Sequence, residues 1–191
     1  MKLFSIKSTV MLCALIPPIA MGQENSLEES RAVAMALMQQ LGAALKKEMA
    51  DGGRDAAISI CRKLAPELAT KFSLENGWRV TRVSLRTRNP LLGTPDIWEQ
   101  QALKDFDARA AAGDAADKLE YSEVVTEPEG RYFRYVKALP VQPLCLACHG
   151  GVDQISESVK TTLKKHYPHD RAVGYLPGQI RGAISIKRPV P

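Results

Sequence analysis

The chain has 191 residues, 45% hydrophobic and 25% charged, with a formal charge of +5 and four cysteines. That is enough for one domain with a real core, in the balance of an ordinary globular protein rather than a disordered or fibrous one. The positive charge is too small, and too little clustered among aromatic residues, for a nucleic-acid footprint.

The first element looks removable. Lys2 and Lys7 make a basic start, Val10–Ile16 is a short and mostly apolar run, and Ala20-Met21-Gly22 is a small-residue cleavage site before Gln23. This is the pattern of a secretory signal peptide over residues 1–22. The apolar run is too short for a stable membrane span. The expectation is therefore an exported, periplasmic protein with residues 23–191 as a single domain and no membrane span after cleavage. Removing Lys2 and Lys7 and no acid leaves 24 basic against 21 acidic residues, a net +3. It also removes Cys13 and leaves Cys61, Cys145 and Cys148, an odd number of thiols for an oxidising compartment.

Ser26-Leu27-Glu28-Glu29 reads as a capping box opening a helix over 27–50, with Leu27, Ala34, Leu37, Leu41 and Leu45 on one face. Asp51-Gly52-Gly53 ends it. A second helix is predicted from Asp55 to Phe72, with Pro66 bending or breaking it near Leu64. Trp78–Leu85 reads as a strand, and Asn89-Pro90 as a break. Thr94-Pro95-Asp96 opens a third helix, carrying Ile97, Trp98, Leu103 and Phe106. Two strands, Glu120–Thr126 and Arg131–Ala138, flank the turn Glu127-Pro128-Glu129-Gly130 as a hairpin. A helix over about 154–165, a loop through Pro168 and a strand Gly182–Arg188 complete the chain. Helices first and strands afterwards point to an α+β fold with an antiparallel sheet.

Cys145-Leu146-Ala147-Cys148-His149 is the Cys-x-x-Cys-His pattern of covalent haem attachment. Each thiol adds to one vinyl group on the same porphyrin edge, and two intervening residues let the backbone span them. His149 then lies beneath the ring, where Nε2 can reach the iron. The expected cofactor is one covalent haem c, with Cys145 and Cys148 as thioether anchors and His149 as an axial ligand. A zinc site would need a second ligand pair, which is absent from the sequence. A thiol oxidoreductase would place the pair at a helix start in a thioredoxin-like βαβ pattern, whereas this pair follows a hairpin and Pro143.

Several residues are candidates for the opposite face of the iron: His166 and His169, Met35, Met38 and Met49 on the first helix, or Cys61. An open site is a further alternative. Around Cys61, Ala57 and Ala65 at i∓4, with Ile58 and Leu64 at i∓3, make a small-residue strip flanked by aliphatics. Such a strip lets a flat macrocycle approach the backbone. Arg82, Arg86 and Arg88 alternate and are candidate partners for haem propionates. Trp78, Trp98, Phe133 and Tyr135 read as core residues.

Ala57-Ile58, Cys61, Ala65-Pro66 and Ala69 resemble the opening motif of a family of exported c-type haem domains with a PAS-like fold. Further matches are Arg88-Asn89-Pro90, Pro95, Trp98-Glu99, Leu103, the Cys-x-x-Cys-His stretch, Gly178, and Arg181-Gly182-Ala183-Ile184-Ser185. The resemblance spans about residues 28 to 187, with Gln179 departing from the acid expected there. It implies a PAS-like antiparallel sheet with flanking helices, and iron ligation by His149 and Cys61. Members are regarded as redox or gas sensors of unsettled function, sometimes fused to signalling modules. The resulting expectation is a sensor rather than an enzyme, binding haem and CO, NO or a redox partner, and signalling through a separate protein. The rivals are a periplasmic electron carrier, a haem peroxidase or nitrite-type enzyme, and a thiol oxidoreductase.

Overall fold

The computed structural model describes residues 18–190, with side chains from Glu24 onward. Most of the signal-peptide reading, Cys13 included, lies outside the described residues. Helix α1 runs Pro18–Asp51, so Ser26 is not its N-cap. Ser26 sits inside the helix, where its carbonyl accepts from the Ser30 hydroxyl at 2.7 Å. A capping box marks a start only when the backbone before it leaves the helical region, and here it does not.

Gly53, at φ 78°, turns the chain into α2 (Gly53–Ser59). The expected break at Pro66 is absent. The helix instead widens to a π-helical segment at Ile60–Leu64, closed by the Ala65 N–H on the Ile60 carbonyl, and continues as α3 (Ala65–Asn76). Proline has no N–H and crowds the carbonyl four residues back, and a π turn relieves that without ending the helix. Gly77, left-handed at φ 68°, caps α3.

Strand β1 spans Arg79–Val83 and is followed by the single turn α4 (Pro90–Gly93) and by α5 (Ile97–Ala111). The N-cap of α5 is Asp96 rather than Thr94, in a reciprocal capping box with Glu99. The Thr94 hydroxyl is engaged elsewhere, donating to the Pro90 carbonyl at 2.6 Å. The hairpin forms as predicted, β2 (Glu120–Glu127) with β3 (Gly130–Pro140), paired from Glu127 opposite Gly130. After β3 come α6 (Leu146–His149), α7 (Glu157–His166, capped by Ser156) and β4 (Ile180–Pro189).

The result is α+β: a four-stranded antiparallel sheet in the order β1-β4-β3-β2, with helices on both faces. Alternation along the strands fills the two faces. Phe133, Tyr135, Ile184 and Ile186 meet Val33, Ala34 and Leu37 of α1 and Phe72 of α3. Val136, Ala138 and Ala183 meet Ala102, Leu103 and Phe106 of α5. Phe133 and Tyr135 are core as predicted, while Trp78 and Trp98 are half-buried at the edges of these clusters. Away from the sheet, Ile58 of α2 packs on Val159 and Leu163 of α7, which fixes where the π segment lies. Among the described residues, no helix is long and apolar enough to cross a membrane.

Candidate functional site

The Cys-x-x-Cys-His segment leaves β3 through the tight turn Pro143–Cys145 and enters α6. Backbone bonds strap it to the loop before β4. The Tyr175 N–H donates to the His149 carbonyl at 2.9 Å, and the Gly174 N–H to the Gly150 carbonyl at 2.7 Å. Cys145 packs beside Val141, Ala172 and Tyr175, and Cys148 beside the α2–α7 cluster. Burial pushes the Cys148 thiol above its ordinary value; Arg88 opposes that and Cys61 adds to it. Cys61, Cys145 and Cys148 form no disulfide.

His149 Nδ1 lies 2.6 Å from the Ala172 carbonyl. A carbonyl can only accept, so Nδ1 carries the proton and Nε2 keeps its lone pair. Burial, then Arg181 and Arg88, hold this histidine well below its ordinary pKa, with the Ala172 bond acting the other way. The imidazole is thus neutral, oriented by a backbone carbonyl, and able to donate Nε2 to a metal.

His149 and Cys61 line one cleft of about 370 Å³. Six consecutive residues, Arg79 to Ser84, line it. A strand face would expose only alternate residues, so the cleft runs along the free edge of β1. The opposite wall is the π segment and α3, which contribute Cys61, Ala65 and Ala69. The lining includes five arginines (Arg62, Arg79, Arg82, Arg88 and Arg181) and no carboxylate. Leu74 and Leu92 line it too, although 79% and 57% exposed. Small residues against the backbone, uncovered leucines and a guanidinium, that of Arg82, without an ion-pair partner among the described residues suit a flat apolar group with anionic arms.

A family model matches residues 23–189. The chain belongs to the Tll0287-like family. The crystal structure of the cyanobacterial heme-protein Tll0287 is similar, with a TM-score of 0.65 and 24% identity over 91% of this chain and 97% of that one. That likeness speaks to the fold. No functionally curated protein matches.

Within this member of the Tll0287-like family, the predicted site residues separate. Cys61, His149, Arg82 and Arg88 line the cleft, whereas Cys145, Cys148, Arg86, Met35, Met38, Met49, His166 and His169 do not. Ala57 does not line it either, and Ile58 turns to α7, because α-helical spacing does not carry through a π segment. His166 Nδ1 is 3.0 Å from Arg62 Nη1 at the surface. The arginines do not share a strand face. Strand β1 stops at Val83, and the Ser84 hydroxyl turns the chain by accepting from the Arg86 N–H at 3.1 Å. Arg86 then stacks over Tyr175, its guanidinium carbon 4.2 Å from the ring centroid. Arg88 Nε meets Asp170 at 3.0 Å and its Nη2 the Cys148 carbonyl at 2.6 Å, so it braces the attachment segment.

Sequence reasoning missed the contacts of Arg181 with the site. Between Leu139–Gly182 and Pro140–Ile180 the register of β3 and β4 shifts, leaving Arg181 as the extra residue of a bulge. Such bulges re-aim side chains. A lone arginine among apolar strand residues beside a glycine was the available signal. Burial pushes its pKa down to about 10.

Proposed function

We propose that this chain is an exported mono-haem c-type protein acting as a redox or gas sensor, in a PAS-like arrangement of sheet and helices. Cys145 and Cys148 are the thioether anchors, and His149 and Cys61 the axial ligands. The single observation that carries this reading is that His149, its proton held on Nδ1, and Cys61 line one acid-free, arginine-bearing cleft beside the Cys-x-x-Cys-His segment. That the similar fold belongs to a heme-protein supports it.

Bound there, haem would supply an iron able to change oxidation state and to take small ligands. The chain does the rest. The Ala172 carbonyl fixes the His149 tautomer. Ala65 and Ala69 permit close approach along α3, and Arg82, which has no ion-pair partner among the described residues, is placed to receive a propionate. Cys61, as a thiolate, donates strongly and favours the ferric state. Its departure on reduction, or on arrival of CO or NO, would relax the π segment and alter the packing of α2 on α7, which a separate protein could read.

The test is optical and EPR spectroscopy of both oxidation states, with and without CO, on the native protein and Cys61→Ala. The expected ferric spectrum is six-coordinate with thiolate, lost in the variant. Identical spectra would sink the ligand assignment. An iron that keeps both ligands in both states and ignores CO would instead indicate an electron carrier. A mature mass equal to the bare chain would leave the thiol-oxidoreductase reading standing.

A further inference from the structure

Arg181 is the one cleft arginine in contact with the histidine. Its Nε lies 3.3 Å from His149 Nδ1 and 3.5 Å from Nε2. Nδ1 already donates to Ala172, so this is no hydrogen bond to that nitrogen. Nε stands against the ring within 3.5 Å of both nitrogens, and of the two only Nε2 has a lone pair to offer its N–H. The guanidinium is held there. Nη1 donates to the Ser84 hydroxyl at 2.8 Å and to the Arg86 carbonyl at 3.2 Å, and Tyr175 lies beneath, 5.7 Å from ring centroid to guanidinium carbon. Every one of these partners is neutral. Among the described residues no carboxylate pairs with Arg181, whereas Arg88 nearby is paired with Asp170.

An unpaired guanidinium in such a place is costly. The β4 bulge and three neutral contacts nonetheless fix it against a metal-ligating imidazole. We propose that Arg181 is a positioning residue that sets the electron affinity of the site by opposing Cys61. Its positive charge withdraws density from the His149 ring and disfavours the ferric ion, whose charge is one unit higher. The thiolate of Cys61 acts in the opposite direction. With haem bound, the balance of the two would set how readily the iron takes up an electron. The inference rests on the haem reading above and concerns a different residue on the His149 side of the site.

The experiment is a spectroelectrochemical titration of the haem-loaded protein and of Arg181→Gln, Arg181→Lys and Arg82→Gln. Arg181→Gln should shift the equilibrium about tenfold toward ferric, a fall of 59 mV for a one-electron couple. Arg181→Lys, which keeps the charge, should recover most of that shift. Arg82→Gln, which loses a cleft charge that acts on the imidazole less strongly than Arg181 does, should move it by less than half as much. Ser84→Ala, which removes the shorter of the two Nη1 contacts, should give a smaller shift of the same sign and serves if Arg181→Gln does not load haem. An unchanged midpoint in Arg181→Gln, an equal fall in Arg181→Lys, or an equal effect from Arg82→Gln would each overturn the proposal; if Arg181→Gln does not load haem, so would an unchanged midpoint in Ser84→Ala. Failure of the haem reading is separately visible, as a native spectrum without histidine ligation.

Discussion

Arg88 and Asp170 form a buried pair, 7% and 11% exposed at their side chains, and Arg88 also donates to the Cys148 carbonyl. Removing one partner of such a pair strands a charge. Arg88→Met should therefore cost about 3–5 kcal/mol in urea unfolding. Arg88→Lys should recover little of it, because an ammonium cannot reproduce the fork that meets a carboxylate and a carbonyl together. Gly182 is constrained by space: a Cβ there would lie 2.3 Å from the Val83 carbonyl oxygen. Gly182→Ala must push β4 from the end of β1, and about 1–3 kcal/mol of stability should be lost in the same assay. The alternation of arginines at positions 82, 86 and 88 was legible in the sequence, but their destinations were not. Those depend on where β1 ends, and that is set by Ser84, whose hydroxyl also donates to the Arg181 carbonyl 97 residues away.

At the scale of elements, the π segment is the most informative departure from expectation. It puts Cys61, Ala65 and Ala69 on the cleft and Ile58 on α7, a division that a uniform α-helix would not produce. Pro66→Ala restores a backbone donor and removes the clash with the Arg62 carbonyl, so an α-helical path becomes accessible. On the haem reading, this variant should lose part of its thiolate EPR signal while keeping its overall helicity by circular dichroism; a full signal would detach Cys61 placement from the π turn. The hairpin, by contrast, followed directly from Pro128 and Gly130, since turn chemistry is local. The start of α5 shows the limit of local reading. Thr94, Pro95 and Asp96 all carry capping signals, and the choice of Asp96 also serves a long-range contact with Arg134 at 2.6 Å.

For the whole molecule, acid sensitivity should arise both at His149 on the cleft and at carboxylates away from it. Burial raises the Asp96 pKa, but the Glu99 N–H and Arg134 outweigh it and leave the carboxyl below its ordinary value. Burial of Glu120 is likewise outweighed, by Arg31 and the Tyr135 hydroxyl. A depressed folded pKa contributes stability that is present above the unfolded value, about 4, and is lost as pH falls through the folded one. The urea midpoint should therefore begin to fall below about pH 6.5, where the unfolded histidine takes a proton that buried His149 does not, and fall further below about pH 4, with Glu120→Gln showing a shallower lower limb. Preventing attachment should act elsewhere. The sheet faces and their helices do not depend on the cleft, so the Cys145→Ser, Cys148→Ser double variant should keep hydrogen-exchange protection in β3 and β4. Protection should fall in α2, the π segment and α7, and equal loss across the sheet would contradict this division of the fold.

The sequence by itself determined the Cys-x-x-Cys-His motif, the α+β class, the hairpin and the candidacy of Cys61. These are matters of covalent spacing, side-chain period and turn chemistry, all carried by residues close together in the chain. Only the tertiary structure decided that Cys61 and His149 share a cleft along a strand edge, and that Arg88 braces the attachment segment. It also decided that a bulge turns Arg181 onto the imidazole. Those outcomes hang on partners 32 to 104 residues apart, such as Arg181 with His149, Arg88 with Cys148 and Arg62 with His166. No local period encodes such distances, because packing the sheet against its helices is what selects them.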